Sequence, residues 1–116
     1  MAGFTTAFSR TTLDSAIVNG DHVCWSENGS TKSSNLAGTA IAAWDAATNA
    51  DPAVRANTNA VDSAAASAGC TITHFAVYDS TETTQKTDWT ALDSSRTLLS
   101  GDKLSIAAGA IEVTLT

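Results

Sequence analysis

Apolar residues recur at every second position near the end of this chain. They form two runs, Leu104 and Ile106 in the first and Ile111, Val113 and Leu115 in the second. Period two is typical of a strand with one buried face, because successive side chains of a strand point to opposite sides. Residues 107–110, with Gly109 among them, separate the runs and carry turn chemistry. The pattern therefore predicts two strands joined as a hairpin.

A longer strand is predicted upstream, from Thr71 to Asp79 (Thr-Ile-Thr-His-Phe-Ala-Val-Tyr-Asp). This strand is followed by a Leu-bearing segment, Gly101-Asp102, an apolar strand, Ala-Gly-Ala and a final strand. That order resembles a group of short tailed-phage virion proteins labelled tail-fibre-like or capsid-decoration proteins. The resemblance covers residues 54–116, with Asn57-Thr58-Asn59 ahead of the strand, and is weaker over residues 20–50.

The resemblance implies a β-rich structural protein of a virion and names no chemistry. Two positions depart from the family pattern. The family usually carries an aromatic residue where Cys70 stands and a small or aliphatic residue where Cys24 stands. What the resemblance implies therefore does not extend to either cysteine.

Length and composition predict one domain over residues 1–116, and the apolar Phe4 and Phe8 make residues 1–10 a candidate N-terminal arm of it. A chain of 11.8 kDa can bury roughly two-thirds of its unfolded surface and has no room for a second core. The apolar fraction is 43%, but Ala supplies much of it and aromatic residues only 6%. We therefore expect a thin core of small side chains, which partner chains can complete.

The charge balance argues against nucleic acid as a partner. The formal net charge is -6, the isoelectric point is near 4.5, and the six basic residues are scattered. Phosphate contacts need clustered Lys and Arg. The sequence contains no run of about 20 apolar residues, so no membrane span is predicted. Met1 to Thr6 lack the features of a signal peptide, and synthesis in the host cytoplasm is expected.

Local signals divide the first half of the chain. Thr11 and Asp14 match a Thr-x-x-Asp capping box and predict a short helix over residues 11–19. A buried strand is predicted over residues 21–26, and an exposed loop over residues 30–38. Further segments are a strand over residues 54–61 and a small-residue loop over residues 62–69.

Residues 36–47 are ambiguous between helix and strand. Leu36, Ala40, Ile41 and Trp44 have helical spacing. The resemblance to phage virion proteins instead implies a strand over residues 39–44, and we adopt the strand.

Four Cys and His residues form the most specific candidate for a metal site in the sequence. His22 and Cys24 lie on one predicted strand, and Cys70 and His74 lie on or next to another. Alternate residues of a strand share a face, and Cys/His pairs bind zinc tetrahedrally. The spacings differ from the usual Cys-x-x-Cys form, so the alternative of buried thiols and a hydrogen-bonded structural His74 is preferred. No metal and no cofactor is predicted.

Two catalytic hypotheses are weaker still. Cys24 could act as a nucleophile assisted by His74, but no orienting motif surrounds it. Two carboxylate pairs could perform acid and base chemistry on a sugar, namely Asp45 with Asp51 and Asp88 with Asp93. Each carboxylate lies in a turn-like context, where Asp stabilises the turn itself. We predict that the protein is not an enzyme.

The large aromatic side chains are expected mostly in the core, Trp25, Trp44, Phe75 and Tyr78 among them. Trp89 follows a polar run, residues 80–88, and has two readings. In the first, Trp89 anchors a loop to a neighbouring subunit. In the second, which we prefer, Trp89 covers the core of its own chain beside Leu92.

The predicted fold is a compact antiparallel β-sandwich or small barrel with a short N-terminal helix. The resemblance implies a phage virion protein on the capsid surface, a decoration protein that binds the major capsid protein and stabilises the shell as a homotrimer. The candidate capsid or subunit contacts are Phe4, Phe8 and Trp89. The alternative is a tail fibre or tail-tip module that binds a host surface receptor through residues 27–38 and 80–89.

Overall fold

An eleven-residue helix, α1 (Thr6–Ala16), precedes all the strands of the computed structural model, which describes residues 5–50 and 52–115. Thr5 caps the helix, because its side-chain hydroxyl accepts a hydrogen bond of 3.2 Å from the backbone N–H of Phe8. The predicted capping box at Thr11 is therefore wrong, and the helix begins five residues earlier. Residues 6–10, expected in an N-terminal arm, are the first turns of this helix.

In residues 5–50 and 52–115, eight strands follow the helix, and all the hydrogen-bonded strand pairs are antiparallel. In chain order they are β1 (His22–Ser26), β2 (Thr39–Ala40), β3 (Ala53–Ala56), β4 (Val61–Asp62), β5 (Cys70–Tyr78), β6 (Thr90–Leu98), β7 (Ser105–Ile106) and β8 (Glu112–Leu115). The largest sheet has the order β2-β1-β5-β6, and the pairs β3-β8 and β4-β7 form two small sheets. The predicted antiparallel, sandwich-like fold with one short N-terminal helix is confirmed.

The two period-two runs near the chain end do not form a hairpin with each other. β7 pairs with β4, and β8 pairs with β3. The chain does turn between them, since the N–H of Ala110 donates to the carbonyl of Ala107 at 3.1 Å. Asn57 occupies the space between the two runs, because its side chain binds both the carbonyl of Ala107 and the N–H of Ile111. The strands therefore diverge toward different partners.

The ambiguous segment, residues 36–47, is not a helix. Only Thr39 and Ala40 form a strand, and Trp44 makes an isolated antiparallel bridge to Asn57. Ile41 is buried, so its apolar character reflects core packing and not helix formation. The predicted strand at residues 54–61 is two short strands, β3 and β4, separated by the turn after Asn57.

β6 was not predicted as a strand, because its residues 93–97 are polar and exposed. It pairs with β5 at both ends, where Ile72 lies opposite Arg96 and His74 lies opposite Ala91. Four residues of β6, residues 92–95, thus lie opposite the single residue Thr73 of β5. They form a large bulge at the outer edge of the sheet.

The main core lies on one side of the β1-β5 pair. Val23 and Trp25 of β1 point into it, and both are fully buried. Cys24, the residue between them, lies on the opposite side of the sheet in a small second cluster with Ala76 and Tyr78. The sheet therefore has a second face with its own packing. Trp25 and Trp44 lie in the main core as predicted.

Candidate functional site

The four residues of the proposed Cys/His constellation do not come together. Cys70 belongs to the main core, and Cys24 belongs to the cluster on the second face. In β5, Cys70 and Ile72 pack into the main core with Phe75 and Val77, so the alternation of faces shifts by one residue near Thr73. This shift coincides with the irregular pairing between β5 and β6. Within residues 5–50 and 52–115, no group of three His, Cys, Asp or Glu side chains is arranged to hold a metal ion.

Cys24 has a carboxylate as its neighbour. Its Sγ donates a hydrogen bond of 3.4 Å to Oε1 of Glu82, and the other oxygen, Oε2, lies 2.9 Å from Nδ1 of His22. Burial first, and then the charge of Glu82, raises the pKa of Cys24 to about 12. A thiol held in its neutral form is a poor nucleophile. His74 forms its hydrogen bond with Oγ1 of Thr73, at 2.7 Å, so the contacts do not support the Cys24–His74 hypothesis.

Glu82 also joins two loops that are far apart in the sequence. Lys32 donates from Nζ to the carbonyl oxygen of Glu82 at 2.8 Å, and the same Nζ lies 5.0 Å above the ring centre of Tyr78. Residues 27–38 and 79–89, which we call the loop face, are thereby brought side by side over the second face of the sheet. These segments include both loops that the sequence proposed for host recognition.

The backbone of Glu82 adopts a conformation that is unusual for its residue type. Its φ is +57°, and among the described residues it alone is a non-glycine residue with positive φ. Such a conformation costs on the order of 1 kcal/mol in an L-residue. The contacts of Glu82 to His22, Cys24 and Lys32 offset that cost. Non-glycine residues with positive φ are concentrated at functional sites, so the conformation of Glu82 makes this region a candidate functional site.

Two glycines let the first loop approach the sheet closely. A Cβ on Gly38 would lie 2.8 Å from Sγ of Cys24 and 2.7 Å from the carboxyl group of Glu82. A Cβ on Gly29, whose φ is +76°, would lie 2.9 Å from the ring of His74. Gly29 and Gly38 therefore lie directly on the second face, and neither position has space for a larger side chain.

Side-chain hydrogen bonds fix the shape of the first loop. The Oγ of Ser26, which is fully buried, accepts from the N–H groups of Asn28 and Gly29. The Oδ1 of Asn28 in turn accepts from the N–H groups of Ser30 and Thr31. Each acceptor binds two donors, as in an Asx turn. The loop is therefore held in one conformation without regular secondary structure.

The second loop is fixed in the same way. Asp79 accepts from the N–H of Thr83 at 2.8 Å, and this bond is the largest of the interactions that lower the pKa of Asp79. Tyr78 donates from its hydroxyl to Oε1 of Gln85. Trp89 packs against Tyr78, with ring centres 5.9 Å apart, and remains partly exposed.

A comparison with protein families identifies the chain. Residues 7–114 match the family described as podophage GP4 fiber I protein gp80. The chain belongs to this family. No curated protein and no solved structure matches it. The predicted resemblance to tail-fibre-like virion proteins is confirmed, and the capsid-decoration label receives no support from the family.

Membership of a phage fibre family indicates a virion-associated structural protein and not a known class of enzyme. The structure places Asp45 and Asp88 in loops and Asp93 in β6. Asp45 accepts a hydrogen bond from Thr58, Asp88 and Asp93 are exposed, and Asp51 lies outside the described residues.

In the described part of the chain, no helix is long and apolar enough to cross a membrane.

The candidate contact residues of this family member have different surroundings. Phe8 lies on α1 and is 54% exposed. Trp89 packs on Tyr78, whereas Leu92 packs against the main core, so Trp89 does not close over the core beside Leu92. Phe4 lies outside the described residues. Their roles in capsid or subunit contacts stay predictions.

Two grooves open on the surface of the molecule, one of them at the border of the loop face. One, of about 800 Å³, lies between the second half of α1, residues 84–88 and β8. The other, of about 310 Å³, lies between the bulge of β6 and residues 104–111, with Asp93 and Arg96 at its polar side. Neither groove gathers a set of catalytic groups.

Proposed function

We propose that this protein is a fibre component of a phage virion and that its loop face contacts the surface of the host cell. The observation that carries the proposal is the meeting of residues 27–38 and 79–89 on one face, joined by Lys32 and Glu82. Binding residues are commonly found on loops that a rigid scaffold positions. The fibre family of the chain supports the same assignment.

The hydrogen bonds within the loop face favour a binding role because they order it before any partner arrives. Ordering a loop during binding costs free energy, and a loop ordered in advance avoids that cost. Asn28, Asp79 and Glu82 each accept or share hydrogen bonds inside the loops. The side chains that remain directed outward are therefore presented in a fixed arrangement.

The fibre assignment is preferred to capsid decoration for one reason. The family to which the chain belongs is described by a fibre protein, and that description favours the tail over the head. Decoration would require a surface that binds the major capsid protein, and the candidate residues for that contact are Phe4, Phe8 and Trp89. We retain decoration only as an outcome of the test below.

Inhibition of adsorption tests the proposal. Purified protein, added in excess to a bacterial strain on which the parent phage grows, should slow adsorption of the phage. Ser34→Arg and Ser80→Arg place a bulky charge at exposed positions of the loop face that form no described hydrogen bond, and each should abolish the inhibition. Ala108→Arg, in the exposed turn between β7 and β8, is the matched control and should inhibit like the wild type.

Equal inhibition by all three variants would exclude the loop face as the contact surface. A cryo-electron-microscopy reconstruction of the particle separates the two locations. Density at the tail is expected, whereas density at regular positions on the shell would establish decoration.

A further inference from the structure

Five of the six charged side chains of the loop face are used inside the protein, whereas Asp88 is exposed and makes no described side-chain hydrogen bond. Glu27 accepts hydrogen bonds from Ser33 and Asn35 through Oε2, and Lys32 donates to the carbonyl oxygen of Glu82. Lys86 pairs with the buried Asp21 at 2.8 Å. Hydrogen bonds from within its own loop hold the pKa of Asp79 below its usual value. A strongly charged ligand would have to compete with these internal partners.

Residues with neutral hydrogen-bonding side chains make up about half of the loop face. Six of the 12 residues in 27–38 and six of the 11 in 79–89 carry a hydroxyl or a carboxamide group. Several of them are exposed, with no described hydrogen bond from the side chain: Ser34, Ser80 and Thr84. Hydroxyl and amide groups can both donate and accept, so they match a ligand that also carries many hydroxyl groups.

Trp89 adds an aromatic surface beside these groups. Tyr78 supports it from within the small cluster, in a tilted arrangement with an interplanar angle of 51°. Supported in this way, the indole has little rotamer freedom to lose, which favours its use as a binding anchor. The indole of Trp combines an apolar ring face with a polar N–H at its edge. A pyranose ring likewise combines an apolar face of C–H groups with hydroxyl groups around its edge.

We propose that the loop face binds a neutral carbohydrate of the host surface, with the partly exposed ring of Trp89 as the stacking platform and the surrounding hydroxyl and amide groups as hydrogen-bonding partners. This inference rests on the proposed host-contact function and names the chemical class of its ligand. A polyanionic surface component is disfavoured because the lysines of the loop face are already paired.

Binding to immobilised oligosaccharides tests the ligand class. The probes are uncharged chains of hexoses and N-acetylhexosamines, and acidic chains that contain uronic acids. We expect the full chain to bind at least one uncharged probe. Raising NaCl from about 0.05 to 0.5 M should change the affinity less than about twofold, because screening weakens only charge interactions.

Two substitutions separate the stacking role of Trp89 from its packing role. Trp89→Leu keeps an apolar side chain against Tyr78 and should weaken binding at least about tenfold, as loss of an aromatic anchor does. Trp89→Phe keeps an aromatic ring and should retain most of the affinity. Circular dichroism confirms that each variant is folded before binding is measured.

Four results count against the inference, and they differ in what they imply for the proposed function. Binding to acidic probes alone, or equal binding by Trp89→Leu and wild type, contradicts the neutral-carbohydrate ligand. Absence of binding to every probe, with adsorption of the phage still inhibited, contradicts it too and points to a protein receptor. Absence of inhibition, with or without binding to a probe, removes the host-contact function itself.

Discussion

Replacement of Asn57 by Ala should destabilise the protein far more than an ordinary surface substitution. Asn57 is fully buried, and its side chain makes three hydrogen bonds to backbone groups. Nδ2 donates to the carbonyls of Asn59 and Ala107 at 2.7 and 3.2 Å, and Oδ1 accepts from the N–H of Ile111 at 2.9 Å. Ala would remove the side-chain partner of all three backbone groups, and the carbonyl of Ala107 would keep only its bond from the N–H of Ala110.

The magnitude follows from the cost of an unsatisfied buried polar group, about 1 to 3 kcal/mol each. Ile111 is buried, so its N–H bears the full cost, whereas the carbonyls of Asn59 and Ala107 belong to exposed residues and can recruit water. We therefore expect the free energy of unfolding to fall by about 2 to 4 kcal/mol.

Urea unfolding, followed by tryptophan fluorescence, measures this change. Asn59→Ala is the matched control, because Asn59 is exposed and uses its backbone carbonyl, not its side chain, in the described bond. The control should change stability by less than about 0.5 kcal/mol. Asn57→Asp adds a second test, since it keeps one acceptor but directs a carboxylate oxygen at two carbonyls. If Asn57→Ala and Asn59→Ala unfold at the same urea concentration, the role assigned to Asn57 is refuted.

Further predictions concern buried charge, a thiol and assembly. Lys86→Met should lower stability by about 2 to 4 kcal/mol in urea unfolding, because it leaves the buried carboxylate of Asp21 unpaired, whereas Lys103→Met at an exposed site should have little effect. The pKa of Cys24 is raised to about 12 from 9.0, so the folded state holds a proton that the unfolded state releases. The resulting stability is complete below pH 9 and is lost as the pH rises from 9 to 12, by up to about 1.4 kcal/mol per pH unit, and Cys24→Ala should show a shallower decline in the same experiment. Light scattering of the purified protein should give a mass of about 35 kDa, three times the 11.8 kDa chain, if the predicted homotrimer forms, and a mass of one chain would contradict it. A subunit contact at Phe8 predicts that Phe8→Ser lowers that mass without loss of fold.

Local sequence patterns predicted the strands better than their partners. β1 and β5 lie within one residue of their predicted bounds, because alternating or β-branched residues favour strands wherever they pack. The partner of β7 and β8 depends on Asn57, which is about 50 residues away and reads as an ordinary turn residue. The start of α1 was missed because Thr5 caps it through one hydroxyl, without the acidic residue that completes a capping box.

The candidate site was only partly visible in the sequence. Polar composition indicated residues 27–38 and 80–89 as loops, but no local pattern reports that Lys32 reaches Glu82 across 50 positions. The positive φ of Glu82 was equally hidden, since Gly or Asn usually marks such a conformation. The Cys/His hypothesis failed because strict alternation was assumed along β5, where the faces shift near Thr73.

The large bulge at residues 92–95 affects how copies of the protein can associate through the edges of their sheets. A fibre or a shell holds many copies of one protein at high local concentration, and a long regular outer strand would let those copies join edge to edge without limit. The hydrogen-bonding groups of β6 do not match the spacing of a straight neighbouring strand, because four residues, 92–95, lie opposite the single residue Thr73 of β5. The bulge thus limits open-ended sheet growth at this edge and leaves other surfaces to determine how many copies assemble.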